Sequence, residues 1–204
     1  MDNKTELINK NNFSIIWNIV DEIVFQNKHF KTEKIKRAFL LKLIDTNLPN
    51  ATFDEKRSEY YSILGYINYF CDENKRSQKT INFFKRAIKF NKNNYLAWIY
   101  LGYWHFDNEQ WRRALNAFKK IPEEMFGTFC DILRFKITEL KLCCRLYLNP
   151  SKKTIGNIKN FLHKLSFQDE ENRALPVEMK KAIEQAKLNS TNREILLSLI
   201  KDCM

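Results

Sequence analysis

Apolar residues recur along this chain with the spacing of one face of an α-helix. In the first such segment, isoleucines and valines from Ile15 to Val24 form a single stripe. A polar turn at 27–29 separates it from a second predicted helix, which Thr32 caps and which runs to about Asp45. The predicted apolar face of the second helix contains Ile35, Phe39, Leu40, Leu43 and Ile44.

The same pattern predicts helices along the rest of the chain. Pro49, within the polar segment 47–50, separates the second helix from the third. After Pro122, dense apolar residues predict a long helix from about Glu124 to Leu148. Three more helices are predicted at about 152–166, 176–188 and 191–203. The pattern indicates nine or ten helices and no strand, and it therefore predicts an all-α fold.

Between Tyr95 and Pro122, large and small residues alternate at fixed offsets. They are, in order, Trp98, Leu101, Gly102 and His105, and then Ala114, Phe118 and Ile121. A weaker copy lies upstream and consists of Tyr61, Leu64, Gly65, Thr80, Phe84 and Ala87. Phe84 and Phe118 are 34 residues apart, while Gly65 and Gly102 are 37 apart. The difference places three extra residues in the polar stretch 72–77 of the first copy.

This arrangement resembles the tetratricopeptide repeat (TPR) family, whose unit of about 34 residues is a pair of helices, A and B. The resemblance implies a right-handed array of helical hairpins with extra flanking helices. It divides the chain into an N-terminal helical pair at 1–50, two repeat units at 53–122 and C-terminal helices at 123–204. All three segments are expected to form a single compact domain. Gly102 and Ala114 are expected to allow the two helices of the second unit to approach closely.

In the TPR family, ligands lie along the concave face that the A helices form. Transferred position by position, the partner-binding residues of the second unit are Leu96, Ile99, Tyr103 and Phe106. Those of the first unit are Glu59, Ser62, Tyr66 and Tyr69. Such an aromatic face suits a helix or an extended peptide. The resemblance implies a non-enzymatic adaptor that binds a partner protein or peptide and needs no cofactor.

Two other interpretations of this face stay open. In one, the C-terminal helices fill the groove, and the aromatic residues are core. In the other, the chain is an immunity- or chaperone-type protein that neutralises one toxin or secreted partner.

The net charge of +11 raises the further possibility of a nucleic-acid partner. Lysine far outnumbers arginine and the excess is spread over the whole chain, as an AT-rich coding sequence would produce without selection for binding. A basic convex face on the B helices is nevertheless predicted, formed by Lys85, Arg86, Lys89, Arg112, Arg113, Lys119 and Lys120. This face is the basis of a second alternative function, nucleic-acid binding.

The remaining residues indicate no catalytic or metal-binding chemistry. The five cysteines include no C-x2-C pair, and the three histidines are far apart in sequence. The N-terminus lacks the basic-then-apolar order of a signal peptide, and no apolar run is long enough to span a bilayer. We therefore expect a cytoplasmic protein with reduced thiols, no metal and no membrane association.

Overall fold

A computed structural model of the chain describes residues 13–25, 30–47, 54–71, 77–126, 131–167 and 175–203. Within these ranges it contains ten α-helices, one 3-10 turn at Glu123–Met125 and no strand. The all-α prediction is thus confirmed. The helices are α1 Phe13–Phe25, α2 Glu33–Asn47, α3 Asp54–Cys71, α4 Gln78–Phe90, α5 Tyr95–Asp107, α6 Trp111–Phe118, α7 Asp131–Leu148, α8 Lys152–Ser166, α9 Val177–Gln185 and α10 Ser190–Lys201.

By backbone contacts the chain divides into two compact units, 1–104 and 105–204. The division falls near the end of α5. It lies inside the segment predicted to hold the two repeat units, and the three-segment division stays a prediction. The predicted turn at 27–29 and most of the predicted break at 47–50 lie outside the described residues.

Unit 1 is built on a core that α1, α2 and α3 share. Its fully buried side chains include Ile16 and Val20 of α1, and Ile63 and Ile67 of α3. The two residues of each pair are four positions apart in sequence, so they lie on the same face of their helix. Each helix therefore packs one apolar stripe against the others. Thr32 caps α2 as predicted, since its Oγ1 accepts a hydrogen bond from the backbone N–H of Ile35 at 3.2 Å.

The buried face of α2 differs from the prediction. Ile35 and Phe39 are about half exposed, whereas Lys36 is buried with Leu40 and Ile44. The Lys36 Nζ donates to the Val24 carbonyl at 3.0 Å and pairs with Glu33 at 2.9 Å. Lys36 therefore satisfies a carbonyl at the C-terminal end of α1, where a cation also complements the helix dipole. This role places the lysine, rather than its apolar neighbour, on the inner face.

Helices α3 and α4 form a closely packed antiparallel pair. Ser58 near the start of α3 donates from Oγ to the carbonyl of Ala87 near the end of α4, at 2.8 Å. A Cβ added to Gly65 would lie 2.5 Å from the buried ring of Phe84, well inside van der Waals contact. The absence of a side chain at Gly65 is therefore what allows the Phe84 ring to pack against α3.

Unit 2 contains the end of α5 and α6–α10. Helix α6 is only eight residues long and ends at Phe118. The predicted helix 124–148 was wrong at its start, because α7 begins at Asp131. The reason is local: Phe126 has φ −93° and ψ 75°, outside the α-helical region, so a continuous helix cannot pass through it.

The core of unit 2 lies between α7, α8, α9 and α10. It includes Leu140 of α7, Ile158 of α8, Ile183 of α9 and Leu196 of α10. Helix α8 has the predicted bounds, 152–166, while α9 and α10 are shorter than predicted. Two apolar sulfur atoms also meet in this core, where Cys143 Sγ lies 4.0 Å from Met179 Sδ.

A buried carboxylate joins α7 to the start of α9. Pro176 occupies the N-cap position of α9 and makes no side-chain capping bond. Glu139 of α7 supplies the missing acceptor, since its Oε1 lies 2.8 Å from the backbone N of Met179 and its Oε2 lies 2.8 Å from Lys136 Nζ. Burial, the largest influence, raises the pKa of Glu139 even though both partners favour its charged form.

Candidate partner-binding surface

The structure places the four groove residues predicted on α3 in three different environments. Glu59 is exposed, Tyr69 is half-buried, and Ser62 and Tyr66 are buried. Although Glu59 is exposed as a residue, partial burial of its carboxyl group raises its pKa, and the neighbouring Glu55 carboxylate raises it further. Only Glu59 and Tyr69 are therefore open to solvent.

Tyr66 belongs to the core of unit 1, because α1 covers it. Its ring centroid lies 4.9 Å from that of Trp17 and 4.9 Å from that of Tyr100. The Tyr66 hydroxyl donates to the carboxylate of Asp21 on α1. Burial and this hydrogen bond raise the pKa of Tyr66. The expectation that Tyr66 lines an open groove is corrected here: an N-terminal helix lies over this position.

Ser62 is held in a hydrogen-bonded network with α5. The Asn94 Nδ2 lies 2.8 Å from Ser62 Oγ and 2.9 Å from Ser58 Oγ. The Asn94 Oδ1 accepts from the backbone N–H of Ala97 at 3.0 Å, which caps the first turn of α5. Ser62 therefore links α3 to the start of α5 and is not part of an open surface. Asn94 belongs to the polar segment 91–94 that precedes α5.

The groove residues predicted on α5 also divide between surface and interior. Leu96 is 41% exposed and Tyr103 is half-buried, whereas Ile99 and Phe106 are buried. The Phe106 ring meets the Trp111 ring edge-on at 5.1 Å. Phe106 is therefore a packing residue at the connection from α5 to α6.

Tyr69 and Tyr103 belong to a continuous row of aromatic rings in unit 1. We call this row the aromatic strip; in order of contact it consists of Phe25, Phe70, Tyr69, Tyr100 and Tyr103. Successive ring centroids are 5.4, 4.9, 6.2 and 5.8 Å apart. Phe25 is 64% exposed and the other four rings are half-buried.

The sequence pattern indicated only Tyr69 and Tyr103 of this strip. Tyr100 and Tyr103, three residues apart, share a face of α5, and this spacing could have pointed to Tyr100. Phe25 joins the strip only through the packing of α1 against α3, which no local pattern reveals. Burial raises the pKa of Tyr100 to about 12, so its hydroxyl is a neutral hydrogen-bonding group at physiological pH.

The predicted basic face is exposed at all seven positions, which are Lys85, Arg86, Lys89, Arg112, Arg113, Lys119 and Lys120. On the α3–α4 pair, cations lie over half-buried rings. The Arg86 guanidinium is 5.4 Å from the Tyr61 centroid, and the Lys79 ammonium is 5.9 Å from the Phe83 centroid. Such contacts stabilise the helix pair and occupy ring faces that bases would need for stacking.

The described residues offer no metal-binding cluster of His, Cys, Asp and Glu. Burial raises the pKa of Cys71 to about 11 and that of Cys144 to about 12, and it raises the pKa of Cys143 well above its ordinary value. These three thiols are therefore protonated at neutral pH and are poor nucleophiles. His105 is buried, and its Nδ1 lies 2.8 Å from Gln110 Oε1.

Among the described residues, no helix combines the length and the apolar character needed to cross a membrane. Comparison of the chain with protein-family models, curated proteins and solved structures gives no match.

Proposed function

We propose that this chain is a non-enzymatic protein-interaction module of the TPR type, which binds a segment of a partner protein on its aromatic strip. The single observation that carries the proposal is the strip itself, five contiguous rings on one unit with Phe25 64% exposed at one end. Tyrosine and phenylalanine are enriched at the centres of interfaces because they offer large contact areas with few rotatable bonds.

The α3–α4 pair supports the TPR part of the proposal. The resemblance implies that a small residue such as Gly65 allows helices A and B of a unit to approach closely. Gly65 and Phe84, both landmarks of the first repeat-like unit, are in such close contact. The repeat array itself stays a prediction.

The chemistry of the strip indicates the kind of segment that binds. Its rings are apolar, and the tyrosines add hydroxyl groups that can donate to or accept from a peptide backbone. A short amphipathic helix or extended segment with two or three apolar anchors fits this surface. Binding would depend on the complementary shapes of the strip and the partner segment and on contacts with the rings. It would involve no covalent step.

Paired substitutions test the proposal. The double variant Phe25→Ser and Tyr103→Ser removes two rings from the strip, and the matched control Phe167→Ser removes a ring that is 88% exposed in unit 2. Loss of one interface hot spot costs about 2 kcal/mol or more, so the double variant should bind its partner at least ~30-fold more weakly.

Wild type, double variant and control are each used to capture partners from native lysate, and cross-linking with mass spectrometry then maps the contact. We expect a protein that wild type and control retain, that the double variant loses, and that cross-links next to the strip. Equal capture by all three proteins, or cross-links confined to unit 2, would refute the proposal.

The immunity- or chaperone-type alternative uses the same surface with one dedicated partner, and it stays a prediction. Nucleic-acid binding by the predicted basic face also stays a prediction.

A further inference from the structure

Helix α8 presents a cationic face. Its exposed or half-buried lysines are Lys152, Lys153, Lys159 and Lys164, which we call the lysine face. The helix contains no aspartate or glutamate. None of the four lysines forms an ion pair with a described carboxylate, whereas other lysines of unit 2, such as Lys136 and Lys181, do. Within the described residues, the lysine face thus carries charge of one sign.

The lysines lie in two neighbouring rows along the helix. Lys153 and Lys164 share one row with Asn157 and Asn160, while Lys152 and Lys159 share the next row with His163. The buried residues Ile155, Ile158, Leu162 and Leu165 lie on the opposite side. From Lys152 to Lys164 the face extends about 18 Å along the helix axis. It is a straight band of positive charge with amide groups between the lysines.

Two features of this helix lower its stability, and neither is explained by packing against the rest of unit 2. Lys152 and Lys153 stand in the first turn, where positive charge opposes the helix dipole. Gly156 stands in the middle of α8, and a Cβ there would meet nothing within 4 Å. Glycine destabilises the interior of a helix. No neighbouring side chain packs against Gly156, whereas Phe84 packs against Gly65. An anionic chain against this face would offset the unfavourable charge of the first turn and would find the backbone accessible at Gly156.

At the end of α8, Phe167 is 88% exposed. A ring beside a row of lysines is the combination that proteins use for single strands of nucleic acid, where cations track the phosphates and aromatic rings stack on bases. An acidic peptide would pair with the lysines but would not need the ring. On the α3–α4 pair, by contrast, Lys79 and Arg86 lie over the protein's own rings.

We propose that the lysine face of α8, together with Phe167, binds single-stranded nucleic acid. The phosphates lie along the lysines, the strand passes over Gly156, and a base stacks on Phe167. This site is separate from the aromatic strip of unit 1, and the proposal does not depend on the proposed protein partner.

The test is fluorescence anisotropy of the full chain with labelled oligouridine of about 12 nucleotides, a length within the usual site size. For four phosphate contacts on a single strand, affinity should fall about 50-fold between 50 and 200 mM salt. Replacement of all four lysines of the lysine face by Gln should abolish this salt dependence. Their replacement by Arg should preserve binding.

The matched control replaces Lys180, Lys181, Lys187 and Lys201 by Gln, which lowers the net charge by the same amount at exposed positions of unit 2 that belong neither to the lysine face nor to the predicted basic face. It should leave binding within about twofold of wild type. Phe167→Ala should weaken binding by about 5-fold or more through lost stacking. Circular dichroism confirms that each variant is folded.

Three results would overturn the proposal. The first is no binding of oligouridine at 50 mM salt. The second is an equal loss in the control, which would assign binding to net charge alone. The third is tighter binding of an oligoglutamate peptide of equal charge, which would identify an acidic polypeptide as the ligand.

Discussion

Substitution of Gly65 by alanine measures how closely α3 and α4 must approach. The added Cβ would lie 2.5, 2.7 and 2.9 Å from three ring carbons of Phe84. Carbon atoms pack best at about 3.5–4.0 Å, so the ring would have to move by roughly 1 Å. Phe84 is 0% exposed, so the ring can move only if the side chains that enclose it also shift.

The net effect is a balance of two terms. Overpacking of a closed core costs about 1–3 kcal/mol, and three contacts under 3.0 Å place this site in the upper part of that range. Alanine is favoured over glycine within a helix by about 1 kcal/mol. We expect Gly65→Ala to lower the free energy of unfolding by about 1–2 kcal/mol.

Gly156→Ala is the matched control, because it makes the same chemical change in the interior of α8, where a Cβ meets nothing within 4 Å. Without a steric term, only helix propensity remains, and we expect this variant to be more stable by about 0.5–1 kcal/mol. The same substitution should thus have opposite signs at the two glycines.

Urea unfolding followed by circular dichroism gives the change in stability, and hydrogen exchange of peptides from α3 and α4 assigns it to unit 1. A double-mutant cycle with Phe84→Leu completes the test. The smaller side chain should make Gly65→Ala less costly, with a coupling energy of about 1 kcal/mol. A Gly65→Ala variant as stable as wild type, or no coupling to Phe84→Leu, would refute the close-packing argument.

Two further predictions concern unusual environments in the two units. Glu139→Ala should cost about 1–3 kcal/mol in unfolding experiments, because the buried N–H of Met179 loses its acceptor, whereas Glu139→Gln retains one. The pKa of Glu139 is higher in the folded protein than in the unfolded chain. The contribution of this group to stability is therefore complete below about pH 4.5 and is lost as the pH rises through its pKa in the folded protein. The free energy of unfolding of Glu139→Gln relative to wild type should therefore rise over that interval, and a pH-independent difference would contradict this. Near pH 8, Cys71 should react with iodoacetamide at about a hundredth of the rate of an unfolded thiol and Cys144 at about a thousandth, because so few of these thiols are ionised. Cys143 should also react far more slowly than an unfolded thiol. Peptide mass spectrometry measures the labelling, and rapid native labelling would show that these thiols are not protonated.

The sequence alone determined the features that depend on neighbours along the chain. Apolar periodicity located the helices, and that of α8 has the predicted bounds. Thr32 could be recognised as a cap because its hydrogen bond is made three residues away. Gly65 and Phe84 could be recognised as landmarks of a repeat-like unit because equivalent residues recur in the second copy, but only the structure shows that the two residues are in contact. In each case the pattern that identifies the feature is local or recurs along the chain.

The tertiary structure decided which helix faces are covered. Periodicity groups residues on a face, but it does not say which other helix packs there. It therefore placed Ile35 inside and could not foresee that Lys36 would be buried against the end of α1. Periodicity also placed Tyr66 in an open groove, although α1 covers this residue. It could not show that Phe70 contacts both Phe25 and Tyr69. Hydrogen bonds and ring contacts between helices that are distant in sequence determine whether these residues are buried. The reason is that a polar group is buried only where the folded chain gives it a hydrogen-bond partner.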